Sequence, residues 1–383
     1  MRAALLTIAA DEPETVEVAG RSLPLRQLDF AMACGCELVI LIGNGASRPA
    51  IDLRHAAEKA GVRFRVITNP RGLPALLAPQ DDLLVLQENL LPASRWAVEA
   101  LSEGARILIL PGELARPGGF ERIDLARTWA GAMLVPAGLA DGLAGLDEDF
   151  DAASTLLRLA LQYGVRETDL PTELLGQAEW DAVQPQRAGE LSRIWLGRHV
   201  PAAPAFAPAR WTARQIVRTA ASWLAGRPSA APGLAAVTAV VSAGGVMLAG
   251  LELAWAGFLA LGAAVVAGHS AVLTKRLQAV PFGDAGHLGR VVLLPDLALL
   301  ACGILALGGP WHQRIFPPLI LFAALRLLPF TGERAWLRLL RDRLLIALML
   351  AAAAASGMLE RGIMLAGLLA LLPNLRILRG LRG

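Results

Sequence analysis

The sequence predicts two parts of different fold class, an α/β domain in the first half and an all-α membrane domain in the second. Apolar strands alternate with helical segments between Ala3 and Tyr163. Two apolar runs then follow, Leu234–Leu251 without a charge and Leu253–Thr274 with one histidine. Each run is long enough to cross a hydrocarbon core, which needs roughly 20 apolar residues in a helix.

The first half reads as a parallel sheet covered by helices on both faces. Its predicted strands are Ala3–Ala9, Glu37–Gly43, Val62–Thr68, Asp82–Gln87, Ala105–Leu110 and Ala132–Pro136. Its predicted helices are Leu25–Cys34, Ala50–Ala60, Ala93–Ser102 and Asp151–Tyr163. Such alternation is typical of an α/β fold. Ligands bind beyond the carboxyl ends of its strands, so we expect a site at the loop after Ala9 and at Gln87-Glu88-Asn89.

A linker and an amphipathic helix are predicted between the two halves. Ala202–Pro208 is rich in alanine and proline, as expected of a linker. The following segment, Arg210–Arg227, would form a basic helix with one apolar face made of Ile216, Ala220, Trp223 and Leu224. A basic amphipathic helix with tryptophans favours a position in the membrane interface, and packing between domains is the alternative.

Six membrane spans are predicted, at about residues 234–251, 253–274, 291–308, 315–329, 344–358 and 362–373. With the α/β domain in the cytoplasm, the opposite side would hold two arginines, Arg314 and Arg361. The cytoplasmic connections would hold Lys275, Arg276, Arg290, Arg334, Arg338, Arg341, Arg343, Arg376, Arg379 and Arg382. Positive residues concentrate on the cytoplasmic side of membrane proteins. The sequence therefore predicts a multi-pass protein of the cell inner membrane with both termini in the cytoplasm.

Composition agrees with this division and excludes other classes. The hydrophobic fraction is 55% and the mean hydropathy is +0.50, values above those of an ordinary soluble domain. The formal net charge is +3, and charges after Ala231 are mostly arginine; this pattern fits basic membrane loops and excludes a nucleic-acid binder. The three cysteines, Cys34, Cys36 and Cys302, form no disulfide pattern and are predicted to be reduced.

Three local segments carry a resemblance to a known family. They are Gly20–Leu28 (GRSLPLRQL), Ala33–Val39 (ACGCELV) and Leu83–Glu88 (LLVLQE). With the basic helix and six spans, the chain resembles bipartite enzymes that join an inositol-phosphate cytidylyltransferase to a CDP-alcohol phosphatidyltransferase. The resemblance implies a nucleotidyltransferase-like (Rossmann-like) domain over residues 1–200, a linker and juxtamembrane helix over 201–230, and a phosphatidyltransferase-like domain over 231–383. It also implies a homodimer, formed through the membrane helices.

The first catalytic motif of that family is degenerate. Nucleotidyl transfer needs a glycine-rich loop with a basic residue after the first strand, which holds the triphosphate. Here that loop, Ala9–Glu14, has no glycine and three acids. Glu88 can take the place of the metal-binding aspartate, with Asp181 as the second carboxylate, and such a pair would hold Mg²⁺ or Mn²⁺. The alternative is that both are surface acids, and the sequence indicates no other cofactor.

The second catalytic motif is degenerate too. The family holds metal with four aspartates, and alignment on Phe282-Gly283 places Val266, His269, His287 and Val291 at those positions. A zinc-type site of His269, His287 and Asp284 would be a replacement; the alternative is that the histidines are only hydrogen-bonded. On the same alignment the candidate substrate-binding residues are Ser270, Lys275 and Arg276.

Asp296 is the remaining catalytic candidate, because it lies inside the third predicted span. An acid in hydrocarbon costs a few kcal/mol and usually faces a cavity or a basic partner. Arg326, in the fourth predicted span, is the expected partner. Mutual neutralisation is one interpretation of this pair, and a ligand site is the other.

Three hypotheses of function follow. The first is a catalytically degenerate accessory or regulatory protein of phospholipid headgroup synthesis, which binds a CDP-linked or nucleotide ligand and pairs with itself or an active relative. The second is an active transferase on a CDP-alcohol or phospholipid, with a remodelled site at His269, Asp284 and His287. The third is a small transporter with a soluble head, for which no inverted repeat is visible.

Overall fold

The computed structural model describes residues 1–8, 16–114, 119–145, 150–200, 202–203, 206–279, 281–282, 290–326, 339 and 342–380. The chain divides into two compact units, Met1–Arg198 and His199–Gly383. The first is an α/β unit, and the described elements of the second are helices.

Most strands of the α/β unit belong to one mixed sheet. In chain order the strands are β1 (Arg2–Thr7), β2 (Glu17–Val18), β3 (Arg21–Ser22), β4 (Leu38–Ile42), β5 (Arg63–Ile67), β6 (Asp82–Leu86), β7 (Leu90–Pro92), β8 (Arg106–Pro111), β9 (Arg127–Pro136), β10 (Arg166–Asp169) and β11 (Trp180–Ala182). The seven-stranded sheet has the order β10-β8-β9-β6-β1-β4-β5, while β2–β3 and β7–β11 form two separate ribbons. The residues Ala3–Leu6 of β1 are buried, as expected of a central strand covered on both faces.

Helices join the strands and begin at local capping signals. They are α1 (Leu23–Ala33), α2 (Arg48–Lys59), α3 (Arg95–Ser102), α4 (Ala152–Tyr163) and α5 (Ala188–His199). The side chains of Ser47, Ser94 and Asp151 accept backbone N–H groups at the starts of α2, α3 and α4. Such caps satisfy amides that lack a partner inside the helix. The α/β fold is confirmed, and α1–α4 lie where the periodicity predicts them.

The expectation of a wholly parallel sheet was wrong at β9. This strand is antiparallel to both of its neighbours, β6 and β8. A parallel return would need a long crossover, usually through a helix. Between β8 and β9 the described residues form only a short 3₁₀ turn at Gly112–Leu114, so the chain returns in the opposite direction.

The second unit is built from helices throughout its described part. They are α6 (Pro208–Thr219), α7 (Ala221–Ala225), α8 (Ala230–Gly250), α9 (Ala254–Ala279), α10 (Leu293–Ala306), α11 (Trp311–Arg326), α12 (Arg343–Ala355) and α13 (Leu359–Gly380). The last six lie at the positions of the six predicted spans. Two of these, Ala230–Gly250 and Ala254–Gln278, are long and apolar enough to cross a membrane. The six-span topology stays a prediction.

The position of the predicted amphipathic helix in the membrane interface stays a prediction. The structure divides the segment into α6 and α7, and it leaves Ile216 and Trp223 exposed. The buried stripe of α6 is instead Ala209, Ala213 and Val217, on the side that packs against α9. Small side chains allow two helix backbones to approach closely, so the larger apolar residues remain on the outer side.

Glycines allow close helix contacts in this unit. A Cβ added at Gly257 of α9 would lie 2.6 Å from the carbonyl oxygen of Gly245 in α8. A Cβ at Gly303 of α10 would lie 2.9 Å from the ring of Pro318 in α11. Packing of small residues is typical of helices in lipid, where no hydrophobic force drives them together.

The outer surface of the helical unit is strongly apolar. Its exposed large side chains include Val240, Met247, Trp311, Phe316 and Leu368, each more than 60% exposed. Only 22% of the apolar window in α8 is buried inside the structure, which is unlike the core helix of a soluble protein. Apolar surface of this extent marks a partner surface or a membrane.

Candidate functional site

A cavity of about 760 Å³ lies at the carboxyl ends of β1 and β6. Thr7 and Ile8 line it at the end of β1, and Gln87–Asn89 line it immediately after β6. β1 pairs with β4 on one side and with β6 on the other, so the strand order diverges here. Crevices at such switch points are where α/β folds bind ligands. The cavity includes one of the two predicted places, Gln87-Glu88-Asn89, and the loop after Ala9 lies outside the described residues.

Gln27 of α1 fixes the turn that follows β6. Its side chain is fully buried, and Nε2 lies within hydrogen-bond distance of the carbonyl oxygens of Gln87 (2.9 Å), Glu88 (2.9 Å) and Leu90 (3.1 Å). The carbonyl oxygen of Gln87 also accepts the backbone N–H of Leu90 at 3.1 Å, so the turn is held from two sides. The contact holds Glu88 and its neighbours in a defined conformation at the cavity wall.

The amide group of Gln87 is oriented by two acceptors. Its Nε2 donates to Asn89 Oδ1 at 2.7 Å and to the carbonyl oxygen of Gly119 at 2.9 Å. Its Oε1 is buried and has no hydrogen-bond donor among the described residues. A Cβ at Gly131 would lie 3.2 Å from this oxygen, so a glycine there leaves room beside it.

The opposite wall carries two carboxylates with a serine between them. Ser154 Oγ lies 2.6 Å from Glu121 Oε2 and 2.7 Å from Asp151 Oδ2. The other oxygen of Asp151 accepts the backbone N–H of Ala153 at 2.9 Å and caps α4. One hydroxyl has one proton, so Ser154 can donate to only one of these two carboxylates at a time.

Two aromatic residues complete the wall. Phe120 and Trp129 line the cavity, and both are buried. Trp129 is 1% exposed, yet its indole N–H has no acceptor in the described part of the chain. By contrast, the indole N–H of Trp180 donates to the carbonyl oxygen of Ala130 at 2.7 Å. Buried tryptophan N–H groups usually find an acceptor, so the N–H of Trp129 is an unsatisfied donor that solvent does not reach.

The charge of this wall is entirely negative among the residues that the structure describes. Glu88, Glu121 and Asp151 line the cavity, and no described lining residue is basic. Segments 9–15, 115–118 and 146–149 lie outside the described residues; their sequences contain six acids and one arginine, Arg116. The predicted phosphate loop falls in the first of these segments. The described wall therefore repels anions and attracts cations.

The structure does not bring the predicted carboxylate pair, Glu88 and Asp181, into the lining of one cavity. Glu88 lines the cavity, whereas Asp181 of β11 is not among the lining residues. Asp181 accepts backbone N–H groups from Gly176 at 2.7 Å and from Ala178 at 3.0 Å. Burial raises the pKa of its carboxyl to about 6, and these two hydrogen bonds oppose the rise. Its oxygens thus hold a turn of the chain, and its role as a metal ligand stays a prediction.

In the helical unit, Asp296 forms a three-residue ion cluster. The carboxylate is 3% exposed and lies 3.2 Å from Arg326 Nη2 and 3.2 Å from Arg343 Nε. The predicted pairing with Arg326 is confirmed. Arg343 was missed as a partner because it lies in a predicted loop, where it counted only toward the charge of one membrane side. Its Nη2 also donates to the carbonyl oxygen of Leu325 at 3.0 Å.

The other candidates of the helical unit are only partly described. His269 is half-buried on α9, and Ser270 beside it is buried and donates to the carbonyl oxygen of Val266 in its own helix. Lys275 is half-buried and Arg276 is exposed in the last turns of α9. His287 and Asp284 lie outside the described residues, so the predicted zinc-type site and its substrate contacts remain predictions.

Metal-binding clusters were sought throughout the described part of the chain. No group of three or more histidine, cysteine or acidic residues there is arranged to hold a metal ion. Cys34, Cys36 and Cys302 are free and buried. Burial raises the pKa of the Cys34 thiol to about 12, which makes it inert near neutral pH.

Comparison with known proteins shows no family for this chain. No protein-family model matches the chain, and no curated protein matches it. A structure assigned as a glucose-1-phosphate thymidylyltransferase from Bacillus anthracis is similar over 50% of this chain and 96% of its own, with 14% identity and a TM-score of 0.39.

Two further solved structures are similar to the same extent. A UDP-glucose pyrophosphorylase matches over 52% of this chain and 99% of its own, with 10% identity and a TM-score of 0.37. A 4-diphosphocytidyl-2C-methyl-D-erythritol synthase matches over 50% of this chain and 97% of its own, with 20% identity and a TM-score of 0.34. Similarity at this level says nothing about activity.

The ion cluster of the helical unit gives a direct prediction about stability. Asp296→Asn leaves two guanidinium groups without their buried counter-charge, and we expect it to lower the free energy of unfolding by about 3 kcal/mol. Arg343→Gln should cost less, since Arg326 remains, but more than Arg326→Gln, since Arg343 also holds Leu325. The free energy of unfolding of each variant, measured on the detergent-purified protein, tests this order. An Asp296→Asn variant as stable as the wild type would contradict the assignment.

Proposed function

We propose that this chain is a membrane-embedded, catalytically degenerate relative of the bipartite cytidylyltransferase and CDP-alcohol phosphatidyltransferase enzymes. It would act as an accessory or regulatory protein in phospholipid headgroup synthesis. The observation that supports the loss of nucleotidyl transfer is the described lining of the cavity, which contains Glu88, Glu121 and Asp151 and no basic residue. The relation to the bipartite enzymes rests on the sequence resemblance.

Electrostatics explains why such a wall opposes nucleotidyl transfer. A nucleoside triphosphate brings several negative charges, and its binding needs backbone amides and a cation close to the phosphates. Two unit charges at 4 Å interact with about 4 kcal/mol at the effective dielectric near a protein surface. Carboxylates in place of cations turn this attraction into repulsion. A ligand with little or no negative charge fits the cavity better.

The helical unit supports the membrane part of the proposal. Two helices are long and apolar enough to span, and four shorter helices lie at the other predicted spans. We propose six spans in the inner membrane with both termini in the cytoplasm. Asp296, Arg326 and Arg343 would then share one end of the bundle, because α10 begins, α11 ends and α12 begins there. Dimerisation, or pairing with an active relative that binds the CDP-linked substrate, belongs to the same proposal.

An active transferase is the second candidate, and one observation favours it. Glu88 lies in the cavity directly after β6, where the resemblance puts a metal-binding acid. A divalent cation on Glu88 would offset part of the negative charge and attract phosphate oxygens. The remodelled membrane site at His269, Asp284 and His287 belongs to this candidate as well.

Nucleotide turnover separates the two candidates. We expect the purified full-length protein to release no pyrophosphate from CTP and inositol phosphate with Mg²⁺ or Mn²⁺, above the rate of a heat-inactivated sample. It should likewise transfer no phosphoalcohol from CDP-alcohols to lipid. Metal-dependent release that disappears in Glu88→Gln, but persists when the exposed Glu58 of α2 is changed to Gln, would establish the active transferase instead.

The membrane topology has a test of its own. Arg290, before α10, and Arg361, in the first turn of α13, are both exposed. With six spans they lie on opposite sides, so a membrane-impermeant maleimide should label Arg290→Cys and Arg361→Cys from opposite faces of a sealed vesicle. The three natural cysteines are buried and should give little background. Labelling of both variants from the same face would overturn the six-span arrangement.

A further inference from the structure

We infer that the segment from Arg218 to Arg227, which comprises the end of α6, all of α7 and the turn after it, binds the headgroup phosphates of anionic phospholipids. The inference rests on the membrane part of the proposed function and names the lipid class that this surface selects. It draws on three features of the described helices: the level at which α7 is held against α9, an exposed tryptophan beside an exposed arginine, and positive charge without an acidic partner.

Gln278 attaches α7 to the end of α9. Its Nε2 lies 2.9 Å from the carbonyl oxygen of Leu224 and 2.7 Å from the carbonyl oxygen of Arg227. Gln278 belongs to the last turn of α9, so one side chain holds α7 and the turn after it at that end of the helix. The position of α7 along α9 is therefore fixed.

The length of α9 relates this position to a bilayer. Trp255 lies in the first turn of α9 and is 46% exposed. From Trp255 to Gln278 the helix rises about 35 Å, at 1.5 Å per residue. A hydrocarbon core is about 30 Å thick, and tryptophans concentrate at its two boundaries. With Trp255 at one boundary, α7 lies at the level of the other.

Trp223 and Arg227 present an aromatic ring and a guanidinium group on the outer side of α7. Trp223 is 54% exposed, and the guanidinium carbon of Arg227 lies 4.4 Å from the centre of its ring. Leu224, next to Trp223, is buried, so α7 has distinct inner and outer sides. A tryptophan ring suits the headgroup layer, and a guanidinium group matches phosphate oxygens with two parallel hydrogen bonds.

The positive charge of this segment has no acidic partner. No acid occurs in the sequence between Val200 and Leu251. Arg218 and Arg227 are exposed and form no ion pair with a described residue. Asp296 is already paired with its own arginines, and Asp342 accepts backbone N–H groups. Each basic residue near a membrane surface favours binding to anionic lipid, so this segment selects lipids with a net negative charge.

Other occupants fit this surface less well. A zwitterionic lipid offers a phosphate, but its ammonium group is repelled by the same arginines. A soluble phosphate ester has no apolar part to cover the ring of Trp223. Immediately after the segment, α8 begins at Ala230, and only 22% of its apolar window is buried. A lipid supplies both the phosphate and the apolar chains that these neighbouring surfaces require.

The test measures which lipid lies next to α7. Ser222 of α7 is exposed, so the full-length Ser222→Cys variant is labelled with a fluorophore and reconstituted into phosphatidylcholine vesicles. The three natural cysteines are buried. Part of the lipid is then replaced by phosphatidylglycerol or phosphatidylcholine that carries a nitroxide quencher near the glycerol end of one acyl chain. We expect quenching to favour phosphatidylglycerol by about fivefold, the gain expected from one arginine at an anionic surface.

Two double variants in the Ser222→Cys background locate the preference. Arg218→Gln with Arg227→Gln should make the two lipids equal quenchers. Arg48→Gln with Arg158→Gln is the matched control, because it removes the same charge from exposed positions on α2 and α4. It should leave the preference for phosphatidylglycerol unchanged.

Three results would overturn the inference. The first is equal quenching of the labelled Ser222→Cys protein by the two lipids. The second is a preference that persists without Arg218 and Arg227, or that the control variant loses to the same extent. The third is a preference that disappears when soluble glycerol phosphate is added, which would assign the arginines to a soluble phosphate ester.

A label within α8 separates this inference from the proposed function. Val240 of α8 is 71% exposed, so a fluorophore on Val240→Cys should be quenched by nitroxides placed deep in the acyl chains. Quenching at Val240→Cys without quenching at Ser222→Cys would keep the membrane proposal and overturn the inference, in favour of a protein partner on α7. Absence of quenching at both positions would contradict both.

Discussion

Negative charge on one cavity wall is the constraint that decides which ligands the α/β unit can bind. The sheet brings Glu88, Glu121 and Asp151 to the strand ends at which such folds bind ligands. Local contacts hold this wall in place: Gln27 secures the turn after β6, and Asp151 caps α4. On the function proposed above, loss of anion binding would follow from the side chains of the wall and would need no change in the fold.

Part of this site could be predicted from the sequence. The periodicity placed β1 and β6 and thus the cavity, and Glu88 was singled out because it directly follows an apolar strand. Glu121, Asp151 and Ser154 were not, since their approach depends on the excursion between β8 and the antiparallel β9. Neither this excursion nor the direction of β9 has a local sequence signal. The oxygens of Asp181 accept the N–H groups of Gly176 and Ala178, and this contact has no signal in the sequence.

In the helical unit, too, local sequence patterns predicted some contacts and missed those that depend on packing between distant segments. Asp296 is a single acid in an apolar run, so a basic partner was expected, and Arg326 was chosen correctly. Arg343 was not chosen as a partner of Asp296, because its predicted position in a loop gave no reason to expect contact with α10. Asp342 was also missed: it caps α12 and accepts the backbone N–H of Ala209 at the start of α6. Contacts between distant helix ends depend on packing, which periodicity does not specify.

Calorimetric titration of CTP with Mg²⁺ into the intact protein tests the central claim most directly, since it measures binding without requiring turnover. The charge of the described wall predicts no saturable heat, and so a Kd weaker than about 1 mM, which corresponds to about −4 kcal/mol. Saturable binding at about 1 µM that is lost in Glu88→Gln would contradict the account. It would mean that the acids hold a metal for the triphosphate and that the unit still functions as a nucleotide site.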